Sequence, residues 1–308
     1  MDILKELPDK CIDLVVTDAP YFQIVKNDWD NQWKNIFDFQ SWVGEVGKEL
    51  HRVLKDNGSF YWFGDDKTIA YCQVELDKYF RLLNNIVWRK PSLHTMKGTK
   101  SVFRSFTPIT ERLLFYSKEF DINSLDKIMW DFSKFKNIRE YLLCEKEKIK
   151  KNKNLTNKEF NKLTIDLGCT TTCYKNNFCL KGYFEFPTKQ NYTLLQKTGF
   201  FNKPYEDLRR VWNNDAKALD VLDYKVYNNK DKFHPTQKPI NLISYLIQRS
   251  SRENDLILDC FSGSGTTAVA CHNLKRRFIC IEKDHDYWKA SVERLENAQA
   301  QLRFDLQY

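Results

Sequence analysis

Three textures follow one another along the chain. In residues 1–118, apolar runs of strand length alternate with amphipathic stretches of helical period. "DILKEL" opens as a short helix that "PDK" breaks, and "CIDLVVTDAP" carries the unbroken apolar run of a strand buried on both faces. "FQSWVGEVGKELHRVLKDNG" is helical, with Trp42, Val46, Leu50 and Val53 on one face, Ser41 as the candidate N-cap and Gly58 as the stop. "SFYWFG", "LLNNIVWRK" and "ERLLFYS" read as strands, and "IAYCQVELDKYF" as a helix. Residues 119–232 lose this rhythm and become polar, lysine-rich and aromatic. Thr156 and Glu159 in "LTNKEFNKL" have the spacing of a capping box, and "EYLLCEKEKIKK" before them predicts a second short helix, a pairing that a helix-turn-helix would also show. Residues 233–298 return to the first texture: "NLISYLIQRSS" as a helix, "DLILDCF" as a buried strand, "GSGTTAVACHNL" as a turn into a helix, "RRFICIEKD" as a strand and "HDYWKASVERLENAQAQL" as a last helix.

Strands joined by helical crossovers predict an α/β fold with a doubly wound parallel sheet. The simplest organisation builds one domain from residues 1–118 and 233–308, around an insertion at 119–232. A chain of 308 residues, 42% of them hydrophobic, is long enough for that core. No apolar run reaches membrane-spanning length and "MDILKELPDK" lacks a secretory apolar segment, so a cytoplasmic setting without a membrane is expected. Nine cysteines without paired spacing suit a reducing compartment. Cys144, Cys169, Cys173 and Cys179 form the closest group, but without a CxxC pair or nearby histidines they read as loose thiols rather than a zinc site, and no metal is expected. The net charge of +8 is concentrated: residues 141–220 hold 15 lysines and arginines against 9 aspartates and glutamates. Such an excess suits a polyanionic partner, although "KEKIKKNKN" reads equally as a solvated surface.

Two stretches carry candidate chemistry. In "VVTDAPYF", Asp18 falls at the end of a predicted strand, Pro20 fixes the backbone, and Tyr21 offers a flat face. A carboxylate beside an exposed carbonyl supplies two acceptors, which suit an amino group with two N–H donors, and the neighbouring ring suits a planar heterocycle taken out of a stack. Alone, Asp18 reads more commonly as the N-cap of a following helix. "LILDCFSGSGTTAVA" is strand, tight turn and helix; Gly263 and Gly265 allow a ligand close to the backbone, beside the free N–H groups of a helix start. Asp259 ends its strand where ligands bind in open α/β sheets, and Glu282 ends the next one where an acidic side chain meets ribose hydroxyls. Ala268 stands where a dinucleotide fingerprint has its third glycine or an alanine, and a GK[ST] phosphate loop is absent, so the expected ligand carries a ribose but no essential phosphate. A purely structural strand–helix turn is the competing interpretation.

Together these residues resemble the β class of amino-group DNA methyltransferases that use S-adenosylmethionine. Asp18-Ala19-Pro20-Tyr21 is similar to their catalytic [D/N/S]-P-P-[Y/F/W] motif, and Asp259, Phe261, Gly263 and Gly265 match their D-x-F-x-G-x-G cofactor motif. "HPTQKP", residues 234–239, resembles the segment that precedes that loop, and "NIVWRKPS" and "ERLLFYSK" resemble the family's later strands. The catalytic motif comes first, then an insertion, then the cofactor motif, which is the order of the β class; the likeness covers the first 118 and about the last 75 residues.

The resemblance implies a Rossmann-like methyltransferase sheet, with 119–232 as the target-recognition region and site-specific transfer of a methyl group to adenine N6 by base flipping. It implies Asp18 and the Ala19 carbonyl on the amino group, Pro20 in the turn, and Tyr21 stacked on the base. Asp259, Phe261, Gly263 and Gly265 would surround the cofactor, Glu282 its ribose, and Thr236 and Lys238 its carboxylate. "NDWDNQW", residues 27–33, would lie beside the base pocket. Double-stranded DNA is the implied partner, and a homodimer and a cognate restriction enzyme of a restriction-modification pair are allowed by the family. Two positions depart from the pattern: Ala19 replaces the usual proline, where only the carbonyl is needed, and Cys260 stands where proline is common. The family also has a short strand ending in "GD" ahead of the first helix, whereas Met1-Asp2 begins at that helix, so either the start lies upstream or that sheet edge is missing. Three alternatives stay open. One is a cytosine-N4 enzyme, although serine rather than Asp18 is typical there. Another is a catalytically impaired, DNA-binding methyltransferase-like protein, and the last a nicotinamide-dependent oxidoreductase supported by the GxGxxA fit alone.

Overall fold

The computed structural model describes residues 2–23, 32–90, 109–118, 136–169, 179–180, 183–184, 187–208, 210–213, 218–226 and 237–305. The chain divides into two units, Met1–Glu119 with Arg210–Tyr308, and Phe120–Arg209.

The first unit is organised by strands whose alternate residues face opposite sides. In β1 (Ile12–Thr17), Leu14 and Val16 join one apolar cluster and Ile12 and Val15 the other. β2 (Leu54–Gly64) repeats this with Tyr61 and Phe63 against Phe60 and Trp62, and β4 (Thr110–Ser117) with Leu113 and Phe115 against Leu114 and Tyr116. Both faces therefore need cover. α2 (Ile36–Val53) and α3 (Ile69–Leu76) supply it on one side through Phe39, Val43, Val46, Leu50 and Leu76. On the other side it comes from Leu242, Ile243, Leu246 and Ile247 of a helix at Ile240–Ser250 and Ala270 and Cys271 of one at Thr266–Asn273. Each fully buried Leu or Phe contributes roughly 1.5–3 kcal/mol on leaving water.

β3 (Arg81–Arg89), β7 (Val221–Asp223), β8 (Leu256–Asp259) and β9 (Arg277–Cys280) complete a seven-stranded sheet in the order β7-β3-β4-β2-β1-β8-β9. β1 pairs in parallel with β2 and β8, as β8 does with β9 and β3 with β7. β4 departs from the all-parallel expectation, running antiparallel to both β2 and β3. A strand buried on both faces carries no mark of direction in its hydrophobic run, so the sequence left this undetermined. β7 lies within the stretch assigned from sequence to the insertion, and it pairs with the sheet through Val87–Val221, Trp88–Leu222 and Arg89–Asp223.

Two local signals also differ. α2 begins well over a turn earlier than Ser41 suggested, because the Asn35 side chain accepts from the amides of Phe37 (2.8 Å) and Asp38 (3.0 Å) and so caps the helix. It ends at Val53 rather than Gly58, since Leu54 already pairs with Ile12 and begins β2.

In the second unit, α4 (Lys136–Asn152) and α5 (Asn157–Asp166) are the two expected helices, and the Thr156–Glu159 capping box is formed on both sides. With α6 (Lys189–Gln196) they enclose a small core of Leu142, Ile149, Phe160, Tyr192, Leu195 and Phe201. Two-residue strands β5 (Cys179–Leu180) and β6 (Tyr183–Phe184) pair antiparallel. In chain order the remaining helices are α7 (Ile240–Ser250), α8 (Thr266–Asn273) and α9 (His285–Asp305).

Candidate active site

Because β1 and β8 are parallel neighbours, their carboxyl ends open on the same rim. The residues that follow them line one cavity of about 640 Å³. Thr17, the last residue of β1, is buried and its hydroxyl donates to Asp259 Oδ1 at 2.9 Å. Thr267 in the first turn of α8 donates to Oδ2 at 2.6 Å, and the Phe261 amide to Oδ1 at 3.2 Å. These donors are all uncharged, and burial pushes the Asp259 carboxyl up to about 6 in spite of them.

On the β1 side, Tyr21 Oη donates to Asp18 Oδ1 at 2.9 Å. Lys238, just ahead of α7 and buried, reaches across from the other end of the chain. Its ammonium donates to Asp18 Oδ2 at 2.6 Å and Tyr21 Oη at 3.3 Å, and pairs with Glu111 Oε2 at 3.3 Å. It also lies 5.4 Å from the ring centre of Tyr21 and 5.3 Å from that of Phe63. The other carboxylate oxygen of Glu111 pairs with Lys90. Lys90, Glu111, Lys238 and Asp18 thus form a row of alternating charge. Burial, helped by the nearby Glu111, pushes the Asp18 carboxyl above the usual range despite the pull of Lys238. Burial raises Tyr21 strongly, with both carboxylates adding to it. Glu111 is held low against its burial by Lys238 and Lys90, and Lys238 is held high against its own burial by Asp18 and Glu111.

The opposite wall of the cavity is the glycine turn. The Ile281 amide donates to Asp259 O and the Ser262 amide to Ile281 O, both at 2.9 Å, which joins β8 to β9 up to the turn. Gly263 (φ 45°) and Gly265 (φ 69°) are left-handed. A Cβ on Gly265 would stand 2.7 Å from the Cβ of Ser291, so the close approach of α9 excludes a side chain there. The Gly263 amide donates to Glu282 Oε2 at 2.7 Å and the Asp284 amide to Oε1 at 2.9 Å, which fixes this carboxylate at the cavity edge. Trp42 and Phe261, with ring centres 5.5 Å apart, make an aromatic wall backed by Trp33, 4.8 Å from Trp42.

Asp18, Ala19, Pro20, Tyr21, Lys238, Asp259, Phe261, Gly263 and Glu282 all line this cavity. Gly265 shapes the turn without lining it, and Thr236 lies outside the described residues. Of "NDWDNQW", Gln32 and Trp33 are described: Gln32 lines the cavity and Trp33 packs in the core, while residues 27–31 fall outside. Asp18 caps no helix. Lys238, the residue that the family resemblance assigns to the cofactor carboxylate, is held in this structure by the half-buried carboxylates of Asp18 and Glu111. Glu111 has no signal in the sequence, because a strand in a parallel sheet would carry its first residues away from the rim. Antiparallel β4 places its beginning, not its end, at the rim, with Arg112 opposite Gly64. Trp42 read as core by its helical period and is half-buried against the cavity.

A model of the family described as DNA methylase (N6_N4_Mtase) matches residues 12–293. The chain is 28% identical to the DNA adenine methyltransferase YhdJ of Escherichia coli (strain K12), over 96% of this chain and 80% of that one. It is 27% identical to the type II methyltransferase M2.DpnII of Streptococcus pneumoniae, over 95% and 85%. The solved structure of an M1.HpyAVI–SAM complex superposes with a TM-score of 0.52 over 96% of this chain and 94% of that one, at 20% identity, and so shares the fold.

Proposed function

The chain belongs to the amino-group DNA methylases, whose family model spans residues 12–293, and from that premise we propose that it methylates adenine N6 in double-stranded DNA with S-adenosylmethionine. The observation that carries the proposal is the half-buried Asp18 carboxylate opening into the same cavity as the turn that begins at Asp259. Adenine is favoured by the name of the YhdJ relative and by the aspartate at position 18.

The residues of the turn fit the cofactor. Asp259 is a buried carboxylate held by uncharged donors alone, suited to a cationic amino group. Each oxygen of Glu282 accepts one backbone N–H and keeps a lone pair for a vicinal diol. Trp42 and Phe261 supply an apolar wall. When bound, S-adenosylmethionine supplies a methyl group already activated by its sulfonium.

The chain's own part is to position the nucleophile. The adenine amino group is a poor nucleophile because its lone pair is delocalised into the ring. Two acceptors, the Asp18 carboxylate and the Ala19 carbonyl, draw its N–H bonds out of the ring plane and aim the lone pair at the methyl group. Lys238 opposes the protonation that burial favours at Asp18, and so preserves the acceptor. Once methylated, the nitrogen would hold one proton too many. Asp18, whose proton affinity is above that of an ordinary carboxylate, is the base in contact with it. The basic second unit is the DNA-reading surface in this scheme. The proposal extends to a cognate restriction endonuclease, in keeping with the type II name of M2.DpnII, and to pairing of two copies, which light scattering reads.

The test is to methylate duplex DNA with labelled cofactor and digest it to nucleosides. Label is expected in N6-methyladenine, and label in N4-methylcytosine overturns the adenine assignment. Asp18→Ala is expected to lower the rate at least on the order of a hundredfold with cofactor affinity nearly unchanged. An active Asp18→Ala enzyme overturns the role of Asp18.

A further inference from the structure

Among the described residues, Glu111 is a half-buried acid at the cavity rim that has no role in this scheme. Glu111 lies near the start of β4, its side chain 16% exposed, and contacts neither Asp18 nor the turn directly. Among the described residues, both of its ion-pair partners belong to the row at the rim. From the residue after β3 comes Lys90, on Oε1. From the segment before α7 comes Lys238, 3.3 Å from Oε2. From the turn after β1 comes Tyr21, its hydroxyl 3.4 Å from Oε2, with Asp18 beyond it. Asp65, after β2, adds its field at Tyr21.

We propose that Glu111 is a positioning residue for methyl transfer. It shares the Lys238 ammonium with Asp18, and so leaves the Asp18 lone pairs open to the amino group rather than closed in an ion pair. The proposal rests on the role given to Asp18 above. Lys238 has three N–H donors and three acceptors: Asp18 at 2.6 Å, Tyr21 at 3.3 Å and Glu111 at 3.3 Å. Without the charge of Glu111, the ammonium would centre on Asp18 and compete with the amino group for its lone pairs. The charge balance changes as well. Lys90, Glu111, Lys238 and Asp18 sum to zero, whereas without the Glu111 charge the row is cationic, which opposes the positive charge that develops on the nitrogen during transfer.

This predicts an unusual pair of effects for Glu111→Gln. The plateau rate falls, because the acceptor is captured. The acidic limb of the rate profile, where Asp18 takes up a proton, moves to lower pH, because a repelling carboxylate has gone and Lys238 is drawn closer. Lys90→Met removes only the outer partner of Glu111 and leaves its carboxylate less neutralised, so its acidic limb moves to higher pH. A residue serving stability alone would shift neither limb, or both in the same direction.

The experiment measures single-turnover methylation of duplex DNA from pH 5 to 9 at saturating cofactor, for the wild type, Glu111→Gln, Glu111→Asp and Lys90→Met. For Glu111→Gln the expected result is a plateau lower by about tenfold, the scale of one charged hydrogen bond, with the limb lower by on the order of one pH unit. Glu111→Asp, which keeps the charge, should leave the limb near that of the wild type. Glu111→Gln and Lys90→Met shifting in opposite senses supports the proposal. An unmoved or upward limb in Glu111→Gln, or a downward limb in Lys90→Met, overturns it. Should Glu111→Gln fail to fold, the sign of the Lys90→Met shift decides alone. An inactive Asp18→Ala alongside unmoved limbs sinks this inference only, whereas an active Asp18→Ala sinks the role of Asp18 itself.

Discussion

Replacing Asp259 with asparagine should make the free protein more stable at neutral pH. The folded carboxyl titrates at about 6 against 3.8 for an unburied aspartate, because burial disfavours its charged form. The sign follows from linkage. A carboxyl that binds its proton more tightly when folded favours folding most below the unfolded value, and that advantage disappears as pH rises through the folded one. At 1.36 kcal/mol for each tenfold change in proton affinity, the ionised group at pH 7 weakens the fold by about 3 kcal/mol relative to a neutral one. Near pH 5 the difference is about 1.6 kcal/mol. Asparagine keeps an oxygen for Thr17 and Phe261 and turns its amide toward Thr267, whose hydroxyl can accept as well as donate. One imperfect hydrogen bond costs about 1 kcal/mol, which leaves a net gain of about 2 kcal/mol at pH 7.

Urea unfolding at pH 5, 6, 7 and 8, followed by circular dichroism, reads this directly. The wild type is expected to lose about 1.3 kcal/mol from this group between pH 5 and 7, and Asp259→Asn should lack that slope. The same variant should bind S-adenosylmethionine more weakly by calorimetry, because the anionic partner of its amino group is gone. Parallel pH profiles for the two proteins, or an Asp259→Asn variant less stable at pH 7 than at pH 5 relative to the wild type, would show that burial does not govern this carboxyl.

Gly265→Ala combines a left-handed backbone with a Cβ 2.7 Å from Ser291 Cβ. It should destabilise the first unit by roughly 2–4 kcal/mol in thermal unfolding, and Ser291→Gly should restore the steric part only. Full restoration would mean that the backbone conformation is not the constraint. Glu282→Ala removes the acceptor held by the Gly263 and Asp284 amides. Cofactor affinity should fall on the order of tenfold by calorimetry, while the same measurement with 2′-deoxyribose cofactor analogues should show little further loss; a full additional loss refutes contact with the diol.

What the sequence disclosed of this site was local. Asp18-Ala19-Pro20-Tyr21 and Asp259-Cys260-Phe261-Ser262-Gly263 could be found because each is a strand end followed by a turn, and the turn chemistry is written in adjacent residues. The apolar runs in "SFYWFG" and "ERLLFYS" disclosed strands, and the two clusters show that both faces of each are covered. Strand direction was not disclosed, and Glu111 was lost with it, since only an antiparallel β4 brings its first residues to the rim. The capping box at Thr156 was legible because both partners lie within four residues, whereas Asn35 outcompeted Ser41 through a side-chain geometry that composition does not encode.

Lys238 shows how burial decides between partners that the sequence treats as equal. It lies 220 residues from Asp18, and from the sequence any anion near the glycine turn would have served it. Two carboxylates in the cavity are pushed up by burial, Asp18 and Asp259, but their surroundings differ in kind. Asp18 already faces an ammonium at 2.6 Å, so its remaining lone pairs suit a neutral donor such as an aromatic amine. Asp259 has two hydroxyls and an amide as its hydrogen-bond partners, and its ionised form gains most from an arriving cation. A zwitterionic amino acid end and a neutral nucleobase entering the same cavity are therefore sorted by charge: the ammonium to the β8 side and the amine to the β1 side. Lys238 is what makes the two aspartates unlike. Removing its charge would raise the proton affinity of Asp18 further and leave two competing sites for the cation, where the wild-type cavity has one.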